Sequence, residues 1–146
     1  MPIDRKLSIT PPRAGTSFAF EVELERSRKL ASAGTGPGTW TEYQLGPTFE
    51  GLAEHLEQIT AHILVEDRSS ANISYRIKIE KSYDGVIFTS GGFILPAQSS
   101  NGYTISSDYT TRTDFGRYFR FTLDLDDAGA VETAFFSASI HLKLWS

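Results

Sequence analysis

Apolar and polar residues alternate with period two along most of this chain, and that limits what it can fold into. Ile73, Tyr75, Ile77 and Ile79 alternate with Ser74, Arg76, Lys78 and Glu80. Successive side chains of a strand point to opposite faces, so such a run buries one face and wets the other. Phe18, Phe20, Val22 and Leu24 interleave in the same way with Ala19, Glu21, Glu23 and Glu25. So do Ile59, Ala61, Ile63 and Val65 with Thr60, His62, Leu64 and Glu66. Phe119, Phe121, Leu123 and Leu125 alternate with Tyr118, Arg120, Thr122 and Asp124. The last run is the longest, with Ala134, Phe136, Ala138, Ile140, Leu142 and Leu144 in one phase. Short strands are expected over 40–45, 86–88 and 93–95, set off by Gly46-Pro47, Asp84-Gly85, Gly91-Gly92 and Pro96. A helical period shows only over 48–57, where Leu52 and Leu56 follow a Thr48 cap and predict one or two turns at most.

About eight strands with irregular connections predict an all-β fold, a two-sheet antiparallel β-sandwich of jelly-roll type. Strands do not alternate with helical patterns, which argues against a parallel α/β sheet. No fixed-period repeat is visible, which argues against propellers and solenoids. A length of 146 residues fits one domain. Pro2, Pro11, Pro12 and Gly15 make residues 1–16 an extended N-terminal arm and leave 17–146 as the sandwich. Residues 31–39 and 97–116, rich in Gly, Ser and Thr, read as long loops.

Composition narrows the function. Lys and Arg number 14 against 18 Asp and Glu, a net charge of −4, whereas a nucleic-acid binder would carry a basic footprint. No run reaches the ~18 apolar residues of a membrane span, so membrane insertion is not expected. No secretory signal follows Met1, so cytoplasmic synthesis is expected, with incorporation into a virion or another particle as one destination. The absence of cysteine removes disulfides, thiolate metal sites and cysteine nucleophiles together.

The residues that carry chemistry are few. Gly-x-Ser-x-Gly is absent, and His55, His62 and His141 have no compact spacing with one another or with a nucleophile. The chain therefore reads as non-enzymatic, with no catalytic residue and no cofactor. Asp124, Asp126 and Asp127 before Gly129 are the donor type that calcium takes, and equally suit a charged hairpin tip. Tyr83, Tyr103, Tyr109 and Phe115, with Asp108, Arg112 and Asp114, fall on expected loops. Such rings stack on a sugar while the polar groups take its hydroxyls; the same rings equally close the ends of a sandwich.

Four segments carry a family resemblance: LEQITAHILVED (56–67), YRIKIEKSYDGVIF (75–88), GRYFRFTLDL (116–125) and SASIHLKLW (137–145). They resemble the discoidin-like jelly roll of the F5/8 type C, galactose-binding-like group. The resemblance implies a jelly roll and a carbohydrate- or surface-binding module. Phe88 stands where that family usually has Trp, and residues 1–30 have no counterpart in it.

An arm that pairs along a neighbour's sheet edge makes a heterologous contact, which builds rings, shells or filaments. The arm and long loops therefore predict a non-catalytic structural protein that packs in many copies, as a virion or bacterial shell or filament component does. Its partners would be copies of itself or other subunits. A glycan-binding module using the aromatic loops is the alternative.

Overall fold

Every alternating run folds as a strand in the computed structural model, which describes residues 6–8, 17–34, 38–51, 56–70, 73–98, 102–108, 117–126 and 129–145. The strands are β1 (Lys6–Ser8), β2 (Ser17–Ala31), β3 (Thr41–Glu50), β4 (Leu56–Glu66) and β5 (Ser74–Ser82), then β6 (Thr89–Gln98), β7 (Gly102–Asp108), β8 (Tyr118–Asp126) and β9 (Thr133–Trp145). They form a five-stranded sheet in the order β1-β3-β8-β5-β6 and a four-stranded sheet in the order β2-β9-β4-β7. Pairing is antiparallel throughout except between β1 and β3. From β2 to β9 each strand crosses to the opposite sheet, except that β5 turns directly into β6. This is the jelly-roll path.

The alternating apolar sets meet between the sheets. Tyr75, Ile77, Phe121 and Leu123 of one sheet and Ile63, Phe136, Ile140 and Leu142 of the other are all buried. Tyr75 meets Phe136 edge-on at 5.7 Å, joining the two layers. Phe49 stacks on Phe119 at 4.9 Å and meets Phe121 edge-on at 5.8 Å.

That aromatic cluster explains why no helix begins at Thr48. Thr48 and Phe49 are buried strand residues, and β3 continues through Gly46-Pro47 instead of stopping there. Leu45 pairs with Phe121 and Phe49 with Phe119, so the segment between them bulges and restores the inward phase. Gly46, at φ +68°, lets β3 close on β2: a Cβ there would lie 2.7 Å from Leu24 Cδ2. Pro47 is tolerated because β1 pairs only with Thr48–Glu50. Residues 52–55 lie outside the described residues, and no helix occurs among those described.

Three further expectations change. Pro96 does not end its strand, because β6 is a sheet edge, where proline is tolerated. The expected loop 97–116 contains β7, whose Ser- and Thr-rich sequence hides its period and which completes the hydrogen bonding of β4. β2 runs past its first alternating stretch to Ala31, with register shifts between Glu23 and Arg28 and Ser27 at φ 48°. Within the expected arm, Lys6–Ser8 pairs with β3 of its own sheet; residues 1–5 and 9–16 lie outside the described residues.

Candidate functional site

The turn from β5 to β6 is built from short polar contacts. Asp84 Oδ1 accepts the backbone N–H of Val86 at 2.8 Å and of Ile87 at 2.9 Å, and the Ser82 hydroxyl at 2.9 Å. Ser82 Oγ accepts the Gly85 N–H at 2.9 Å. The Ile87 and Val86 amides, with the Ser82 hydroxyl, hold the Asp84 carboxyl below the usual carboxylate range. Gly85 takes φ +77° over the Tyr118 ring, where a Cβ would lie 3.3 Å away. Because these bonds fix the backbone, the apolar side chains cannot fold back. Tyr83, Val86 and Ile87 stand 79%, 80% and 71% exposed.

The short apolar run 86–88 reads as a strand in the sequence. Val86 and Ile87 lie instead in the turn, because Asp84 takes the N–H groups a ladder would use, and β6 begins at Thr89. Their outward direction was not legible, although Ser82-x-Asp84-Gly85 marked the turn itself.

A second fixed apolar side chain sits at the far end of the sandwich. Ser82 pairs with Tyr118 and Ser74 with Asp126, so a nine-residue strand separates the two ends by about 30 Å. Val131, in the β8–β9 connection, is 65% exposed. Glu132 N–H donates to Ser32 Oγ at 2.9 Å, and Thr133 N–H to Ser69 Oγ at 2.8 Å. Return bonds run from Ser32 N–H to Glu132 O at 2.9 Å and from Ser69 N–H to Thr133 O at 2.8 Å. Gly34 approaches so closely that a Cβ would lie 2.9 Å from Val131 Cγ2.

The outward face of the five-stranded sheet carries a charged layer. Asp124, expected on a wet face, is fully buried, and Thr122 beside it is nearly so. Asp124 Oδ2 accepts Arg76 Nε at 3.0 Å and lies 3.7 Å from Lys78 Nζ, which also pairs with Glu42. Arg76 lies over the Trp40 ring at 3.9 Å and the Phe93 ring at 4.7 Å. Arg120 donates to Glu80 Oε1 at 2.9 Å and lies 3.8 Å over Phe88. These long side chains and rings cover the middle of the sheet, which is why Thr122 and Asp124 of β8 do not meet water. Burial alone would lower the pKa of Lys78; the Glu42 hydrogen bond and the charges of Asp124, Glu42 and Glu80 outweigh it and raise it.

Of the calcium candidates, Asp124 is thus occupied by cations of its own sheet, and Asp126 accepts the Gly38 N–H at 2.7 Å. Asp127 lies outside the described residues. No three His, Cys, Asp or Glu side chains converge on a metal-sized site among the described residues. Of the sugar-face candidates, Tyr83 is at the β5–β6 tip, while Tyr103 and Asp108 belong to β7, opposite Leu64 and Ile59. Tyr83 follows β5 of the five-stranded sheet, whereas Tyr103 lies in the four-stranded sheet near the opposite end, so they do not form one face. Tyr109, Arg112, Asp114 and Phe115 lie outside the described residues, as does His55. His62 lines a shallow groove of about 190 Å³ on the four-stranded sheet with Glu21, Glu23 and Glu25. His141 lies on the same sheet, paired with Thr60 and Glu21.

No protein-family model and no curated protein sequence matches the chain, so the discoidin-like resemblance rests on its four segments alone. Solved structures do resemble it. The structure of the Gx strain of infectious bursal disease virus matches with a TM-score of 0.66 at 9% identity, covering 90% of this chain and 33% of that one. The VP2 subviral particle of the same virus matches with a TM-score of 0.66 at 9% identity, covering 90% and 34%. The Gt strain gives 0.59 at 10% identity, covering 90% and 34%. The likeness establishes a shared β-sandwich fold. The chain spans about a third of the length of these viral chains.

Proposed function

We propose that this chain is a non-catalytic structural module that packs in many copies within a larger assembly, such as a virion, shell or filament. The observation that carries the reading is the β5–β6 tip, where Tyr83, Val86 and Ile87 are exposed on a turn whose Val86 and Ile87 N–H groups donate to Asp84 and whose Gly85 N–H donates to Ser82. Burying a large apolar side chain contributes roughly 1.5–3 kcal/mol, so three in one rigid turn make a strong docking element. The fold shared with infectious bursal disease virus particles supports the reading, because a jelly roll suits repeated packing. Lys6–Ser8 pairs within its own sheet, and the reading adds the tip to the arm and the long loops as a contact.

Light scattering after size exclusion tests this. The unchanged chain should exceed the 16.2 kDa monomer by an increasing factor as concentration rises. The variant Val86→Asp/Ile87→Asp should elute as monomer at every concentration. A monomeric unchanged chain up to millimolar concentration would overturn the proposal.

A further inference from the structure

We infer that two copies of this chain pair β7 to β7 in antiparallel register, joining their four-stranded sheets into one continuous sheet. The inference rests on the assembly reading above and names a contact within 97–116. A free strand edge is a row of N–H and C=O groups, and what it fits is another free edge. The two sheets end in four edge strands, β1, β6, β2 and β7. Three of them are blunted. β1 offers only Lys6–Ser8, and the stretch of β3 beyond it contains Pro47 and gives its Gln44 carbonyl to Arg28 at 3.1 Å. β6 carries Pro96 and three register shifts against β5. β2 bears Glu21, Glu23, Glu25, Arg26, Arg28 and Lys29, shifts register between Glu23 and Arg28, and turns Ser27 to φ 48°.

β7 has none of these devices. Its residues match β4 pair for pair, from Gly102 with Val65 to Asp108 with Ile59, without a bulge. It holds no proline, lysine or arginine, and Tyr103, Thr104 and Ile105 favour extended backbone. Among the described residues no strand pairs with it on the side away from β4. With the other edges blunted, the edge it fits is β7 of a second copy. A sheet continued across a two-fold axis pairs residues of the same face, so full overlap sets the axis on Ile105. Thr104 then lies opposite Ser106, and Gly102 opposite Asp108. Asp108 is the strand's one charge, and this register keeps the two carboxylates at opposite ends of the ladder. So short a ladder is marginal alone, and it closes between copies that the tip already holds at high effective concentration.

The chain has no cysteine, so a single one reports the register. Ile105→Cys places two thiols on opposed residues, whose Cα atoms would lie about 4.5–5.5 Å apart, within disulfide reach. Ser107→Cys would leave its two thiols about 14 Å apart along the ladder. After mild oxidation at a concentration where the unchanged chain assembles, a non-reducing gel should show a dimer for Ile105→Cys and a monomer for Ser107→Cys. Adding Val86→Asp/Ile87→Asp to Ile105→Cys should remove the dimer band. Should Ile105→Cys fail to fold or assemble, hydrogen exchange of the unchanged chain decides. Its β7 amides should then exchange about tenfold more slowly in the assembly than in the tip variant, and equal rates overturn the pairing. An assembled Ile105→Cys chain that does not cross-link overturns the pairing and leaves the assembly reading standing. Equal cross-linking at positions 105 and 107 overturns it too, because chance collision would explain both. Slow β7 exchange already in the monomeric tip variant means that the chain covers its own edge, and also overturns it. An unchanged chain that never assembles removes both readings.

Discussion

The two sheets bury the same kind of face inward and present opposite kinds outward. On the five-stranded sheet, Arg76, Lys78 and Arg120 lie across the face, each paired with a carboxylate and two of them stacked on rings. On the four-stranded sheet the outward residues include Glu21, Glu23, Ser137, Ser139 and His141, and Glu21 and Glu23 are exposed. The same alternation in sequence therefore gives a sealed polar layer on one side and a solvated one on the other. Removing Asp124 or Glu80 from the covered layer takes a carboxylate from a half-buried cation, whereas water replaces any partner lost from the other face.

Asp124 is where the contrast should be largest. Asp124→Ala leaves Arg76 and Lys78, which retain side-chain exposures of 26% and 12%, facing a buried gap. The expected loss is about 3–5 kcal/mol in urea unfolding. A loss below about 1 kcal/mol would mean that water enters this layer freely. Next comes Arg120→Ala, which removes the Glu80 pair and the stack on Phe88 and should lower stability by about 2 kcal/mol.

Lys78 gives the comparison a pH dependence. Its folded pKa lies above the ordinary 10.5, so its stabilisation is complete below that value and fades as pH rises through the higher folded one. Urea midpoints of the unchanged chain and of Lys78→Met, taken from about pH 9 to 12, should converge only at the alkaline end. Midpoints whose separation stays constant with pH would remove the charge from the account of this face. The smallest effect belongs to the open sheet. Glu23→Ala, which breaks an exposed pair with Arg26 at 3.5 Å, should change stability by no more than about 0.5 kcal/mol. A loss comparable with that of Asp124→Ala would erase the distinction between the sheets.

Much of the fold was legible. Ile73 to Ile79, Phe119 to Leu125 and Ala134 to Leu144 gave strands and their inward faces, because the pleat turns period two into sidedness. β7 was not legible, since Ser and Thr satisfy either face and its strand depends on pairing with β4. The helix expected from Thr48 failed because Leu52 and Leu56 mimic a helical turn, whereas the aromatic site between Phe119 and Phe121 captures Phe49. Within the candidate site, Tyr83 and the Asp84-Gly85 turn could be read. The exposure of Val86, Ile87 and Val131 could not, because apolar residues are assigned inward until the turn geometry is known.

The sequence by itself determined an all-β sandwich, the inward phase of its longest strands and the position of its tightest turn. These follow from backbone geometry over a few neighbouring residues. Only the tertiary structure decided that Asp124 is sealed beneath Arg76 and Lys78, that Lys6–Ser8 joins its own sheet, and that fixed apolar groups stand at both ends. Those outcomes depend on which distant segments cover which face. Asp124 and Arg76 are 48 residues apart and Ser32 and Glu132 are 100 apart, separations that no local pattern encodes.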